Sequence, residues 1–206
     1  MSIERQQFLS IHGIDGTGKT ATARAVKAEA EARGLRMINY DEHEYRKNNP
    51  HSNRKEALDK EGSPEERLIA HLESTLYHSD QINKLISDGY HVVKSRYLDD
   101  VMAHFSHMGI EQEQLESIVR KFPIVQPDLK VILTLDEAIR QQRVNERGDA
   151  TEADTKAKVI GSRALFFEDY VKRAVNDFGR SLQFDTGSMD SQAIARVIVD
   201  DILRTV

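Results

Sequence analysis

Residues 13–20 read Gly-Ile-Asp-Gly-Thr-Gly-Lys-Thr, between the apolar stretch FLSIH and the helix-forming stretch TATARAVKAEAEAR. The spacing G-x-x-x-x-G-K-[ST], placed after a strand and ahead of a helix, is that of a phosphate-cradling P-loop. Its glycines let the backbone curl so that successive N–H groups point inward at an anion, and the helix that follows adds the positive end of its dipole. Lys19 supplies a mobile positive charge for the terminal phosphates, and the Thr20 hydroxyl is placed to ligate Mg²⁺. Gly13, Ile14, Asp15, Gly16, Thr17, Gly18, Lys19 and Thr20 are therefore the expected contacts of a bound nucleotide, with ATP and Mg²⁺ as the implied cofactors.

A strand that feeds such a loop into a helix belongs to an α/β fold, and the rest of the chain keeps that alternation. Strands are expected at Phe8–His12, Leu35–Tyr40, His91–Lys94, Leu129–Leu135 and Ser181–Asp185, which predicts a three-layer αβα P-loop kinase fold with a five-stranded parallel sheet, in one domain over residues 1–206. Ser63-Pro64-Glu65-Glu66 reads as a capping box with proline at the first helical position. Leu68, Ile69, Leu72, Leu76 and Ile82 then keep to one helical face, and Gly89 ends the helix. Two stretches, Glu42–Gly62 and Gly148–Lys158, are polar and poorly periodic and read as loops, of the kind that are usually functional in a compact domain.

Bulk properties narrow the partners. Lys and Arg number 29 against 34 Asp and Glu, a formal charge of −5, so the basic footprint of a nucleic-acid binder is missing and a small molecule is the expected partner. The chain has no cysteine, which excludes disulfides and thiolate metal sites and fits a reducing cytoplasm. No apolar run approaches a membrane span, and the start MSIERQQ is polar where a signal peptide is apolar, so no membrane association is expected.

The segment HGIDGTGKT resembles the start of thymidylate kinases, in which an acidic residue precedes G-x-[DE]-G-x-G-K-[ST]. Further along, SRYLDDVMAH resembles the family's D-R-Y-x-x-S-x-x-A segment. QPDLKVILTLDEAIRQQRVNERG resembles its P-D-L run with the arginine-bearing helix and the lid, and LQFDTGSMDSQAIARVIVDDI its C-terminal strand, adenine-side loop and last helix. The resemblance covers most of the chain and implies a nucleoside monophosphate kinase with a lid at about residues 148–160, commonly a homodimer. Three positions depart from the family pattern. Its acid before the first glycine is His12 here, the aspartate of its D-R-Y is Ser95, and the arginine of its long helix, which grips the acceptor phosphate, falls near Tyr77 and His78.

Arg140, Arg143 and Arg147 lie three and four apart and share a helix face leading into the expected lid. By resemblance Arg143, with Arg147, turns towards ATP; the alternative is a solvated face paired with Glu137 and Glu146. The lid stretch itself holds Lys156 and Lys158, with Arg163 just beyond. Arg96 follows the third strand at the carboxyl edge, where open α/β sheets bind ligands, and reads as an acceptor-phosphate clamp. Tyr97 either stacks on a base or packs. Asp15 lies near acceptor and metal, where the family motif has an acid. Asp41, Glu42 and Glu44 cluster after the second strand, where one carboxylate could serve as a base if the acceptor is a hydroxyl compound. His104 and His107 read as ordinary helix-face histidines, and Phe166, Phe167 and Tyr170 as packing residues. The expected activity is phosphoryl transfer from Mg·ATP, with Lys19, Asp15, Arg96 and Arg143 as catalytic candidates and Asp15, Asp41, Arg96 and Tyr97 at the acceptor. The acceptor is a nucleoside monophosphate or, alternatively, a nucleoside, sugar or other small hydroxyl compound; a regulatory P-loop NTPase is the remaining reading.

Overall fold

A computed structural model describes residues 5–147 and 180–205. Strand β1 (Phe8–His12) is buried along its whole length. It leads through the glycine-rich loop into α1 (Lys19–Ala32), then β2 (Met37–Asn39), a 3₁₀ turn at Tyr40–Glu42, α2 (Glu44–Lys47), α3 (Ser52–Glu61) and α4 (Pro64–Ser87). The chain continues through β3 (His91–Ser95), α5 (Leu98–His107), α6 (Gln112–Val119), β4 (Leu129–Thr134) and α7 (Glu137–Arg147). Beyond the gap lie β5 (Arg180–Asp185) and α8 (Ser191–Leu203).

The five strands form one sheet in the order β2-β3-β1-β4-β5, every pairing parallel. The expected αβα architecture is the observed one. Strand alternation sorts the core into two layers. Leu9, Ile11, Val93, Val131 and Leu133 pack with Val26, Ala30, Ile194 and Ile198 of α1 and α8. On the other face Phe8, Val92 and Tyr97 pack with Leu68, Leu72, Ile82, Phe105 and Leu115 of α4, α5 and α6. Each of these large apolar side chains contributes roughly 1.5–3 kcal/mol through its burial. The register pairs Ile11 with Ser95 and His12 with Ile132, so the carboxyl ends of β1, β3 and β4 meet at one edge. Asp128, of the QPDL run, accepts a hydrogen bond from the Phe8 N–H at 2.8 Å and fixes where the central strand begins.

Two expectations are corrected. The second strand is shorter than Leu35–Tyr40: the Leu35 N–H closes the end of α1 on the Ala30 carbonyl at 2.9 Å. At its other end the Asn39 side chain accepts from the Asp41 N–H at 3.2 Å and turns Tyr40 into the 3₁₀ turn. The stretch read as a loop after Glu42 holds α2 and α3. Neither helix buries a residue, so no apolar period marks them. Polar pairs hold α3 in place, with Arg54 on Glu73 at 2.5 Å and Asp59 accepting from Lys55 at 2.9 Å and from His71 at 3.0 Å. The expected lid at residues 148–160, with Arg163, Phe166, Phe167, Tyr170 and the Arg147 side chain, lies outside the described residues.

The capping box at the start of α4 is complete. Ser63 Oγ accepts from the Glu66 N–H at 3.3 Å, and Glu66 accepts from the Ser63 N–H at 2.9 Å. Ser63→Ala is expected to lower the melting temperature by about 2–4 °C with the circular dichroism spectrum unchanged, as loss of a helix cap does in a chain of this size. An unshifted thermal transition would show that tertiary packing alone holds that turn.

Candidate active site

The loop between β1 and α1 has the geometry its sequence requires. A Cβ on Gly13 would lie 2.5 Å from Thr17 Oγ1 and 2.8 Å from the Leu133 carbonyl oxygen, so no larger residue fits beside β4. Gly16, at φ +93°, packs against α7, where a Cβ would meet Arg140 Cγ at 2.9 Å. Thr17 donates its N–H to the Ile14 carbonyl at 3.4 Å. The first N–H groups of α1 have no partner within the helix and form an anion-binding end.

Lys19 is 7% exposed. Its ammonium donates to the carbonyls of Gly13 and Ile14, both at 2.8 Å, and lies 3.5 Å from Asp15 Oδ1. Burial, and then the neighbouring charge of Arg96, lower its pKa to about 8. It remains protonated at neutral pH as a desolvated point charge, the form that interacts most strongly with phosphate. Thr20 is exposed at the first turn of α1. A hydroxyl oxygen so placed is a hard oxygen donor of the kind that suits Mg²⁺.

Arg96 reaches across to the loop and forms an ion pair with Asp15. It has φ +58° and is the one non-glycine residue among those described with a left-handed backbone. Such strain persists where the surroundings over-determine it, and it collects at functional sites. Here the Arg96 N–H is held by the Ile11 carbonyl at 2.9 Å, which turns the chain at the end of β3. Both side chains of the pair are about half exposed. Two of the four residues read from sequence as acceptor contacts, Asp15 and Arg96, are thus brought together on the P-loop rim.

Helix α7 joins the P-loop to the strand-five side of the sheet. Arg140 is 2% exposed, donates to the Asp15 carbonyl at 3.0 Å and pairs with both oxygens of Glu137 at 2.7 Å. The expected Glu137 pair is present, with the Arg140 side chain buried on the P-loop side of the helix and the Glu137 carboxylate half exposed. Arg143 donates to the Thr186 carbonyl at 2.9 Å in the loop after β5. Helical spacing puts both arginines on one face; only the packing against Gly16 shows that Arg140 braces the loop.

At the far end, Asp41 accepts from the Ser95 N–H at 2.7 Å and faces the Lys94 ammonium at 3.4 Å and Arg46 at 4.0 Å. It ties β2 to β3 instead of standing free as a base. Glu42 pairs with Arg24 at 2.5 Å. Tyr97 is 3% exposed and packs edge-on against Phe8, 4.9 Å between ring centroids, so its ring is a core element and presents no face for stacking on a base. Tyr77 and His78 stand on α4 where the arginine is expected. His78 Nδ1 meets Tyr40 Oη at 2.9 Å and its Nε2 meets Asn49 Nδ2 at 3.2 Å. Burial, and then the charges of Lys94 and Arg46, push its pKa down to about 3, so it adds no positive charge.

Beneath this edge runs a buried polar layer. His12 Nδ1 meets Asp100 at 2.7 Å and its Nε2 meets Ser10 Oγ at 2.7 Å. Asp99 lies 3.5 Å from the same nitrogen and pairs with Lys130 at 2.8 Å. Burial opposes a charge on His12, but the Asp100 and Asp99 carboxylates outweigh it and raise the pKa. The Asp100 carboxyl is held down by the His12 and Lys19 charges against its burial. Asp100 stands at the serine position of the D-R-Y-x-x-S segment, so a histidine–carboxylate pair links the two changed positions.

Arg140→Ala removes the donor that fixes the Asp15 peptide and leaves Glu137 without its main partner. Charge-assisted bonds of this kind contribute about 1.5–3 kcal/mol, so calorimetric titration with ATP is expected to show affinity reduced about tenfold or more. A change of less than threefold in a folded variant would show that the loop holds its shape without α7.

Comparison with known proteins agrees with this geometry. A thymidylate kinase family model matches residues 11–174. A probable thymidylate kinase of Pyrobaculum aerophilum is 26% identical over 151 residues, 69% of this chain and 72% of its own. The thymidylate kinase of Brachyspira hyodysenteriae is 28% identical over 144 residues, 68% and 69% of the two chains. A probable thymidylate kinase of Archaeoglobus fulgidus is 27% identical over 163 residues, 79% and 81% of the two chains. The matched span takes in the P-loop, the Arg96 edge and all of α7, and the chain belongs to the thymidylate kinase family.

Proposed function

We propose that this protein transfers the γ-phosphoryl group of ATP to the phosphate of a nucleoside monophosphate, with thymidylate the first acceptor to test. The observation that carries this reading is the state of the carboxylates after β2. A neutral alcohol would need a free base there, yet Asp41 is engaged by the Ser95 N–H and Lys94, and Glu42 by Arg24. A phosphate acceptor needs no such base, because its oxygens are already ionised; it needs cations, and Arg96, Lys94 and Arg46 stand at this edge.

In this mechanism the loop N–H groups and the Lys19 ammonium hold the donor phosphates and meet the charge that develops on the transferred group. Thr20 would hold Mg²⁺, which when bound would neutralise part of the charge of the donor phosphates. Arg96 orients the acceptor phosphate for in-line attack, and its pairing with Asp15 keeps the guanidinium at the P-loop rim until the acceptor arrives. Arg140 and Arg143 act behind the site, fixing the Asp15 peptide and the Thr186 loop. The family likeness also supports a homodimer acting in the cytoplasm on small nucleotides, without nucleic-acid or membrane partners. Among the described residues no helix is long and apolar enough to cross a membrane.

Two measurements bear on this reading. Lys19→Ala should reduce kcat by orders of magnitude with the fold intact, since the charge it removes matters most in the transition state; turnover near wild type would remove the P-loop lysine from the mechanism. ADP release measured with thymidylate, other pyrimidine monophosphates, purine monophosphates, nucleosides and sugars should rise with a monophosphate. Stimulation by a neutral alcohol alone would replace the proposal with a hydroxyl kinase.

A further inference from the structure

Lys94 is a charged residue in the last turn of a buried strand, and nothing in the P-loop chemistry uses it. Its side chain is about nine-tenths buried, on the α4 face of the sheet beside Tyr40. Its contacts are long: 3.4 Å to Asp41 Oδ1, 3.4 Å to the Ser95 carbonyl, and 5.5 Å to the centroid of the Tyr40 ring. An ammonium has three N–H donors, and in a settled charged pair it approaches oxygen to about 2.7–2.9 Å. Burying a lysine on such loose partners is unfavourable unless an anion completes its shell.

The carboxylate in contact with Lys94 is shared among several donors, and Asp100 adds a second, more distant negative charge. Asp41 commits one oxygen to the Ser95 N–H at 2.7 Å, while Lys94 and Arg46 both face the other, at 3.4 and 4.0 Å. The α4 residues on this side, Tyr77 and His78, include no lysine or arginine. Burial, and then the charges of Lys94 and Arg46, keep His78 unprotonated. Lys94 and Arg46 thus share one carboxylate oxygen at this edge, with Lys94 two residues before Arg96.

We propose that Lys94 is a specificity-determining ligand of the acceptor's phosphate, supplying from the carboxyl end of β3 the charge that the long helix lacks. Asp41 partners the ammonium at 3.4 Å, and a phosphate monoester dianion displaces that carboxylate as its partner. The ligand class is a terminal phosphate monoester; nucleosides and neutral sugars leave Lys94 on Asp41. The inference rests on the monophosphate reading above, and its test is a binding measurement, so the two fail separately.

Thymidylate is titrated calorimetrically into the wild type and into two variants in the absence of ATP. Lys94→Met keeps the buried stem and removes the charge, and it should weaken thymidylate binding at least tenfold while the affinity for ATP, titrated alone, stays within twofold. Asp41→Asn removes the competing carboxylate, and it should tighten thymidylate binding several-fold, an outcome that a purely structural Lys94–Asp41 pair would not give. Melting curves identify a variant that has lost its fold, and the other variant then decides. Thymidylate affinity unchanged in Lys94→Met, or unchanged or weakened in a folded Asp41→Asn, overturns the proposal. If wild-type protein binds no monophosphate in a panel that includes purine and pyrimidine forms, the functional reading falls and the Lys94 proposal with it.

Discussion

The fold of this protein turns on a lysine ammonium buried where the central strand becomes the first helix. Lys19 is held by two carbonyls of its own loop at 2.8 Å, so the loop is shaped around a buried charge. Removing an ammonium from water is unfavourable and is tolerated only where dipoles or counter-charges are already in place. The loop supplies those carbonyls because its glycines adopt backbone angles closed to other residues, and it holds that form because β4, α7 and β3 press on it from three sides. The sheet order, with β1 in the centre, is what makes three-sided support possible.

From that point two chains of contacts spread outward. One runs through the Asp15 peptide to Arg140 and Glu137, and then along α7 to Arg143 and the loop after β5. It binds the walls of the donor side into one unit. The other runs from the Asp15 carboxylate to Arg96 and, across the end of β3, to Lys94, Asp41 and Arg46. It makes the proposed acceptor side an edge where Asp15 and Asp41 are each engaged by lysine and arginine. The donor half depends on backbone geometry, and the acceptor half on side-chain charge. This division explains why the first follows the family pattern closely while the second departs from it.

The departures are compensated in space. His12 replaces an acid, and its imidazole finds Asp100 at 2.7 Å, at a position where the family segment has serine. Acid and hydrogen-bonding partner have exchanged places across the junction of β1 and α5, and Ser10, Asp99 and Lys130 complete the layer. A buried histidine with two carboxylates and a lysine is unfavourable as separate charges and acceptable as a connected set, since each desolvated group has a partner.

The sequence by itself determined the parts of this protein that local physics controls. The P-loop was legible because its glycines answer to backbone angles; the strands showed as short apolar runs; the start of α4 showed because a capping box is a contact between residues three apart. Tertiary structure decided the rest. Helix α3 was invisible because it buries nothing and is held by ion pairs to α4 that no periodicity encodes. Tyr97 could stack or pack on sequence grounds, and the T-shaped contact with Phe8, 89 positions away in the chain, settled it as core. Arg140 and Arg143 share one helix face, and only the packing of Gly16 against α7 gave the first to the P-loop while Thr186 took the second. The charges of Lys94, Asp41 and His78 follow the same rule. What a titratable side chain does depends on its desolvation and on which distant charges surround it, and those are properties of the folded edge rather than of any segment of the chain.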